Sequence, residues 1–210
     1  MKYCFYVTGI LLLTLGVSLT IRSGLGTSPF DAMLVGLSKN VGLTVGSWEI
    51  LIALIMVGTN SLLSGKRPEL LGLVTAMITG AGIDLWLFLL GGYALPADGP
   101  LQFLCFFAGM LIIGFGTAIY LHTNFAPVPV DRLTLIIRQL THTNLFVART
   151  LIYALFLVLA LAAKGPIGIG TVLTVSFGGL LLNFFTPYAE RMIAPFLHGP
   201  SRIEKSPFPH

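Results

Sequence analysis

The sequence predicts an all-α polytopic membrane protein with six transmembrane helices, arranged as two inverted three-helix repeats. Each repeat carries an extra short helix opening on Pro-x-Asp. Three observations predict this: an apolar composition, six long stretches nearly free of charge, and a second half that echoes the first.

Of the 210 residues, 55% are hydrophobic and 10% are charged. Mean hydropathy is +0.91. A soluble domain carries about 25% charged residues, so this chain has too little charge to coat a water-exposed surface. Twelve Lys and Arg against eight Asp and Glu leave a net charge of +4. There is no basic stripe with interleaved aromatics, so the partners expected are the lipid bilayer and a small ligand, with no nucleic acid. A homo-oligomer stays open.

A spanning helix needs about 20 mostly apolar residues. Tyr3 to Ile21, Pro100 to Leu121 and Gly168 to Thr186 are uncharged. Val45 to Leu63 contains only Glu49, Leu70 to Gly92 only Asp84, and Asn144 to Ala163 only Arg149. The breaks carry Gly, Pro and charge, as in Ser64-Gly-Lys-Arg-Pro68, Pro96-Ala-Asp-Gly-Pro100 and Lys164-Gly-Pro166. The first apolar run lacks a small-residue cleavage site and recurs later, so it is expected to be a permanent span. One transmembrane domain is expected over 1–187, with repeats over 1–96 and 99–187. A poorly ordered cytoplasmic tail is expected over 188–210.

Orientation follows the basic residues. With the N-terminus inside, Lys2, Lys66, Arg67, Arg132, Arg138, Arg191, Arg202 and Lys205 are cytoplasmic, and Arg22, Lys39 and Lys164 are external. Both termini are therefore expected in the cytoplasm, in the inner membrane of a bacterial cell. Cys4 and Cys105 then start spans at opposite faces and are not expected to bridge.

The halves align without a gap over a long stretch. Gly9, Gly16, Pro29, Asp31 and Leu51-Ile52 match Gly109, Gly116, Pro129, Asp131 and Leu151-Ile152. After a small shift, Pro68, Gly72, Val74 and Gly80 match Pro166, Gly170, Val172 and Gly178. An odd number of spans per half inserts the second half upside down. That architecture is common in transporters whose sites lie at the repeat interface. Most of the glycines fit close helix packing in lipid.

Between the first two spans, Ser28 is suited to cap a helix with Pro29 at its first position and Asp31 at its third. Pro129 and Asp131 repeat this start, with Val128 in place of the serine. Two readings stay open. Asp31 and Asp131 could complement the positive helix ends of interfacial helices. Alternatively both helices are re-entrant, and their N-termini and aspartates bind something polar near the midplane.

At these residues the chain resembles a family. Gly24-Leu-Gly26-Thr-Ser28-Pro29-Phe-Asp31 is similar to the G-x-G-x-x-P-W/F-D signature of the bacterial YczE/YyaS/YitT-like membrane proteins. Pro166-Ile-Gly168-Ile-Gly170-Thr171 resembles their later Gly-rich segment. Asn124 and Ala126 stand where that family tends to have glycines. The resemblance implies a bacterial inner-membrane protein and supplies no chemistry.

Ionisable residues inside spans are costly and are candidates for function. Glu49 and Arg149 occupy equivalent positions with opposite charge, which suggests a pair across the repeat interface unless each faces headgroups near its span end. Asp84 lies deeper, and Asn183 falls close to its counterpart. Asp31, Asp131, Asp84 and Asn183 are the candidate substrate-binding residues.

The function these features favour is a small transporter or channel for an ion or small polar metabolite. The alternative is an accessory membrane protein supporting another membrane or biosynthetic system. An intramembrane enzyme is the lesser expectation, because the sequence presents no catalytic set, cofactor motif or metal-ligand cluster.

Overall fold

The computed structural model describes residues 2–91, 99–123 and 125–197, and it is all-helical over them. Eight helices follow in order: α1 (Lys2–Arg22), α2 (Pro29–Val41), α3 (Val45–Ser64), α4 (Leu70–Gly91), α5 (Gly99–His122), α6 (Pro129–Thr141), α7 (Leu145–Ala162) and α8 (Ile169–Leu197). Asn124, the 92–98 connection and residues 198–210 lie outside the described residues, so the expected repeat boundary and the end of the tail do too.

Local chemistry sets the helix starts. Ser28 caps α2 by accepting from the Asp31 amide, with Pro29 in the first turn. Thr44 caps α3 by accepting from Ser47 N, and Asn144 caps α7 by accepting from Val147 N. Each satisfies an amide that the first helical turn leaves free. Val128 precedes α6 and offers no side-chain cap. Gly65 ends α3 in the left-handed region at φ 64.

Helices α1 and α5 form the most extensive pairing in the fold. They run antiparallel and meet through glycine at two levels. A Cβ on Gly9 would lie 3.0 Å from Gly116 O, and one on Gly16 would lie 2.6 Å from Gly109 O. The flanking helices complete the bundle: α4 packs on α1, and α8 on α5. The short helices cross over. Helix α2 packs chiefly against α7, and α6 against α3 and α7. The main core gathers Phe30, Met33 and Leu34 of α2 with Ile83, Leu133 and Phe156.

Large apolar side chains cover the outside. Leu62 is 86% exposed and Phe88 is 81% exposed. An exterior of this kind suits lipid and would be costly in water.

Five helices, α1, α3, α4, α5 and α8, are long and apolar enough to cross a membrane by length and composition among the described residues. The apolar stretch described in α7, Val147–Ala162, is shorter. The last span was expected to end before Pro187, yet α8 continues to Leu197. Proline removes one backbone bond from a helix. Here Ala189 and Ile193, one turn apart beyond it, are buried with Ala118 and Ile119 of α5, and that packing carries the helix onward.

The α1–α5 crossing makes a direct test. Gly16→Ala puts a methyl group against Gly109 O and Ile113 N, backbone atoms that cannot swing aside. Overpacking of this kind costs about 1–3 kcal/mol. Gly58→Ala, on α3 with no atom within 4 Å of the added carbon, is the control. It should be neutral or stabilising by up to about 1 kcal/mol. Thermal unfolding in detergent should show the melting temperature falling only for Gly16→Ala.

Candidate functional site

The first Pro-x-Asp helix begins in a loop that only glycine can build. Gly24 and Gly26 have φ of 73 and 100, in the region that favours glycine. Gly26 is also pressed against the start of α8, where an added Cβ would lie 2.6 Å from Gly168 N. Gly170 N donates to Leu25 O at 2.8 Å. The two glycine-rich segments are thus one joint, formed by backbone against backbone.

This joint places Asp31 in the interior, 8% exposed. Ser28 Oγ donates to Asp31 Oδ2 at 2.5 Å. The buried Thr27 precedes the cap, and Thr20 Oγ1 lies 2.9 Å from Thr27 Oγ1. Every residue from Pro29 to Gly36 is buried.

The second Pro-x-Asp helix starts differently. Ala126 replaces Gly26, and its carbonyl accepts from Thr75 Oγ1 at 3.1 Å. Pro129 O accepts from Asn60 Nδ2 at 3.0 Å. With no capping serine, Asp131 Oδ2 accepts instead from the buried Tyr120 hydroxyl. Tyr120 stands at the position matching Thr20, so each half supplies a hydroxyl from the same level of its first long helix. Asp131 also interacts electrostatically with Arg149, whose Nε donates to Tyr153 Oη at 3.2 Å. The guanidinium lies 5.4 Å from the Tyr153 ring centroid, a cation–π contact.

Glu49 of α3 is 1% exposed and interacts electrostatically with both Asp31 and Asp131. Two carboxylates, one from each half, thus act on Glu49; Asp31 is buried and Asp131 half-buried. Among the described residues no donor hydrogen-bonds to the Glu49 carboxylate. The expected direct pairing of Glu49 with Arg149 is absent: among the described residues the one ion pair joins Arg132 and Glu69 at 2.5 Å. Arg149 is held by Tyr153 and turned toward Asp131 instead.

Asp84 and Asn183 stand apart from this group. Asp84 Oδ2 accepts from Thr44 Oγ1 at 2.6 Å, and Oδ1 accepts from Gly46 N at 2.8 Å. It caps α3 from a neighbouring helix. The approach is close because Gly46 and Gly80 touch: an added Cβ on Gly80 would lie 2.5 Å from Gly46 O. Asn183 lies exposed on α8. Among the described residues, no group of three His, Cys, Asp or Glu could hold a metal ion.

Sequence reasoning missed Thr20, Thr27, Tyr120 and Tyr153. The repeat offered one signal, since Thr20 and Tyr120 match in register and both carry hydroxyls. Nothing local marks Tyr153, which lies one turn beyond Arg149.

If Asp84 is a cap, Asp84→Ala leaves an amide and a hydroxyl unpaired at the start of α3. The expected loss is about 1–2 kcal/mol. The melting temperature should drop, while Asn183→Ala, at an exposed position, should leave it unchanged.

Residues 1–187 match the model of DUF6198, a family of unknown function. Uncharacterized protein YyaS of Bacillus subtilis (strain 168) is 60% identical over 191 residues, covering 91% of this chain and 95% of YyaS. Uncharacterized membrane protein YczE of the same organism is 33% identical over 194 residues, covering 92% of this chain and 89% of YczE. A Haemophilus influenzae protein is 28% identical over 183 residues, covering 86% of this chain and 81% of its own length. No solved structure matches. With its apolar helices, its lipid-suited exterior, its similarity to YyaS and YczE and a family match over nearly its whole length, the chain is a multi-pass membrane protein that belongs to the DUF6198 family.

Proposed function

We propose that the chain is a small transporter or channel for an ion or small polar metabolite, with its site at the interface of two inverted three-span halves. The observation that carries this is the burial of Glu49, 1% exposed, and Asp31, 8% exposed, in a membrane protein, with the half-buried Asp131 also acting electrostatically on Glu49. Carboxylates in such a place are costly to keep and mark ion or substrate paths by default.

The inverted relation is supported by the central crossing. The contact of Gly9 with Gly116 has the contact of Gly16 with Gly109 as its image under exchange of the halves. Antiparallel helices that exchange equivalent contacts are related by a two-fold axis perpendicular to them. For membrane-crossing helices that axis lies in the membrane plane. Helix α7 is then the sixth span, and the N-terminus is cytoplasmic by the distribution of basic residues. The burial of Pro29 to Gly36 on all sides favours a re-entrant α2 over one floating at the interface.

Equivalent joints differ in a way that suits alternating access. On one side Gly36 and Gly165 bring α2 against the α7–α8 turn, and an added Cβ on Gly36 would lie 2.5 Å from Ala163 O. On the other side the matching positions are Ile136 and Arg67, and a small cleft opens between α6 and the α3–α4 turn. Asn60, Ser61, Arg67, Glu69 and Arg132 line it. The Arg132–Glu69 ion pair lies within it. We read this as a cytoplasm-leaning state.

A second reading, an accessory membrane protein, has its own support. Leu11, Met77, Ile78, Ala81, Gly82 and Leu85 form a shallow apolar groove between α1 and α4 that would suit a partner helix. The tests separate the two. For a transporter, at least one compound in a thermal-shift screen of small ions and polar metabolites raises the melting temperature of wild type. That compound should have no effect on Asp31→Asn/Asp131→Asn, which still folds, and it should cross proteoliposomes only with the wild-type protein. An unchanged response in the double variant would move the site elsewhere. Failure of every compound would favour the accessory role.

Sidedness is tested separately. In a chain without Cys4 and Cys105, Ser61→Cys should react with an impermeant maleimide from the cytoplasmic side only. Thr27→Cys, at a fully buried position, should react from neither side. Labelling of Ser61→Cys from outside would overturn the orientation.

A further inference from the structure

The three carboxylates are not equally provided for. Asp31 has the hydroxyl of Ser28. Asp131 has the Tyr120 hydroxyl and the nearby positive charge of Arg149. Glu49 is 1% exposed and, among the described residues, has no hydrogen-bond donor and no ion-pair partner. Its electrostatic neighbours are two further negative charges.

The other elements packed on α3 supply no cation to it. From α4, Asp84 is acidic and occupied by Thr44 and Gly46. From α6, Arg132 is paired with Glu69 and Arg138 is exposed. From α2, Lys39 is exposed. A buried charge is kept only when something compensates it. In the second half the position matching Glu49 is Arg149, so there the positive charge is part of the chain. In the first half it has to arrive from outside.

We propose that Glu49 is the binding residue for one exchangeable positive charge, held either as a proton or as a small monovalent cation. This rests on the transporter reading for its consequence, coupling to an ion, but not for the site itself. The three carboxylates do not form a metal-holding group, and a divalent ion requires several oxygens gathered closely around it. A single charge needs only one carboxylate and the field of the other two. The exchange balances simply. The O–H bond of the protonated Glu49 carboxyl breaks, the proton passes to water, and the carboxylate takes up the cation. Asp31 and Asp131 strengthen the field without being the acceptor, since their hydrogen bonds are already made.

The test uses the purified full-length protein in weakly buffered detergent solution with a pH indicator. Sodium, potassium and methylammonium chlorides are added in turn, with N-methylglucamine chloride as the bulky control at equal ionic strength. Wild type should release protons, saturably, on addition of at least one of the small cations and not with the control. Glu49→Gln should release none while keeping a cooperative melt, and the exposed Glu190→Gln should behave as wild type. If Glu49→Gln fails to fold, Glu49→Asp should shift the half-saturating cation concentration at least several-fold. No release with any small cation, or unchanged release in Glu49→Gln or Glu49→Asp, would overturn the proposal. Proton release without flux in proteoliposomes would keep this site and discard the transporter reading. Flux that is insensitive to Glu49→Gln would do the reverse.

Discussion

The fold depends on the contact of α1 with α5 through bare backbone at Gly9, Gly16, Gly109 and Gly116. Lipid tails are as apolar as leucine, so helices in a bilayer gain little from hiding apolar surface from one another. They gain from dispersion and from the close approach that small residues permit. At this crossing the glycines bring two backbones together at two levels. The remaining helices are placed by what they pack on: α4 by α1, α8 by α5, α2 chiefly by α7, and α6 by α3 and α7.

The crossover of the short helices follows from that placement and has a chemical consequence. Helix α2 belongs to the first half but lies against α7, while α6 belongs to the second and lies against α3. Asp131 is therefore carried out of its own half toward α3, where it acts on Glu49 together with Asp31 of the first half.

The two halves have also diverged at matching positions, and the differences concentrate where they pack on each other. The joint of Gly26, Gly168 and Gly170 admits no side chain, whereas the matching joint carries Ala126, Leu70 and Gly72, and an added Cβ on Gly72 would lie 3.5 Å from Pro127 O. Hydroxyl supply differs too: Ser28 serves Asp31, and Tyr120 serves Asp131. An identical pair would pack the same way on both sides. These substitutions make one side tight and the other loose.

The sequence by itself determined what depends on neighbours along the chain. Apolar run length set the long helices, and Ser28, Thr44 and Asn144 set helix starts, because caps and hydrophobic stretches act within a turn or over a single helix. The pairing of Asp31 with Asp131 and of Glu49 with Arg149 was legible as repeat register. Only the tertiary structure decided which of these groups meet. It turned Asp84 into a cap for α3, because Gly46 and Gly80 let two helices touch beside it. It left Asn183 on the exterior and directed Arg149 to Tyr153 and Asp131 rather than Glu49. It also carried α8 past Pro187, through the burial of Ala189 and Ile193. Each of these outcomes depends on contacts between residues far apart in the chain, and a register gives positions along a helix without giving the rotation of that helix against its neighbours.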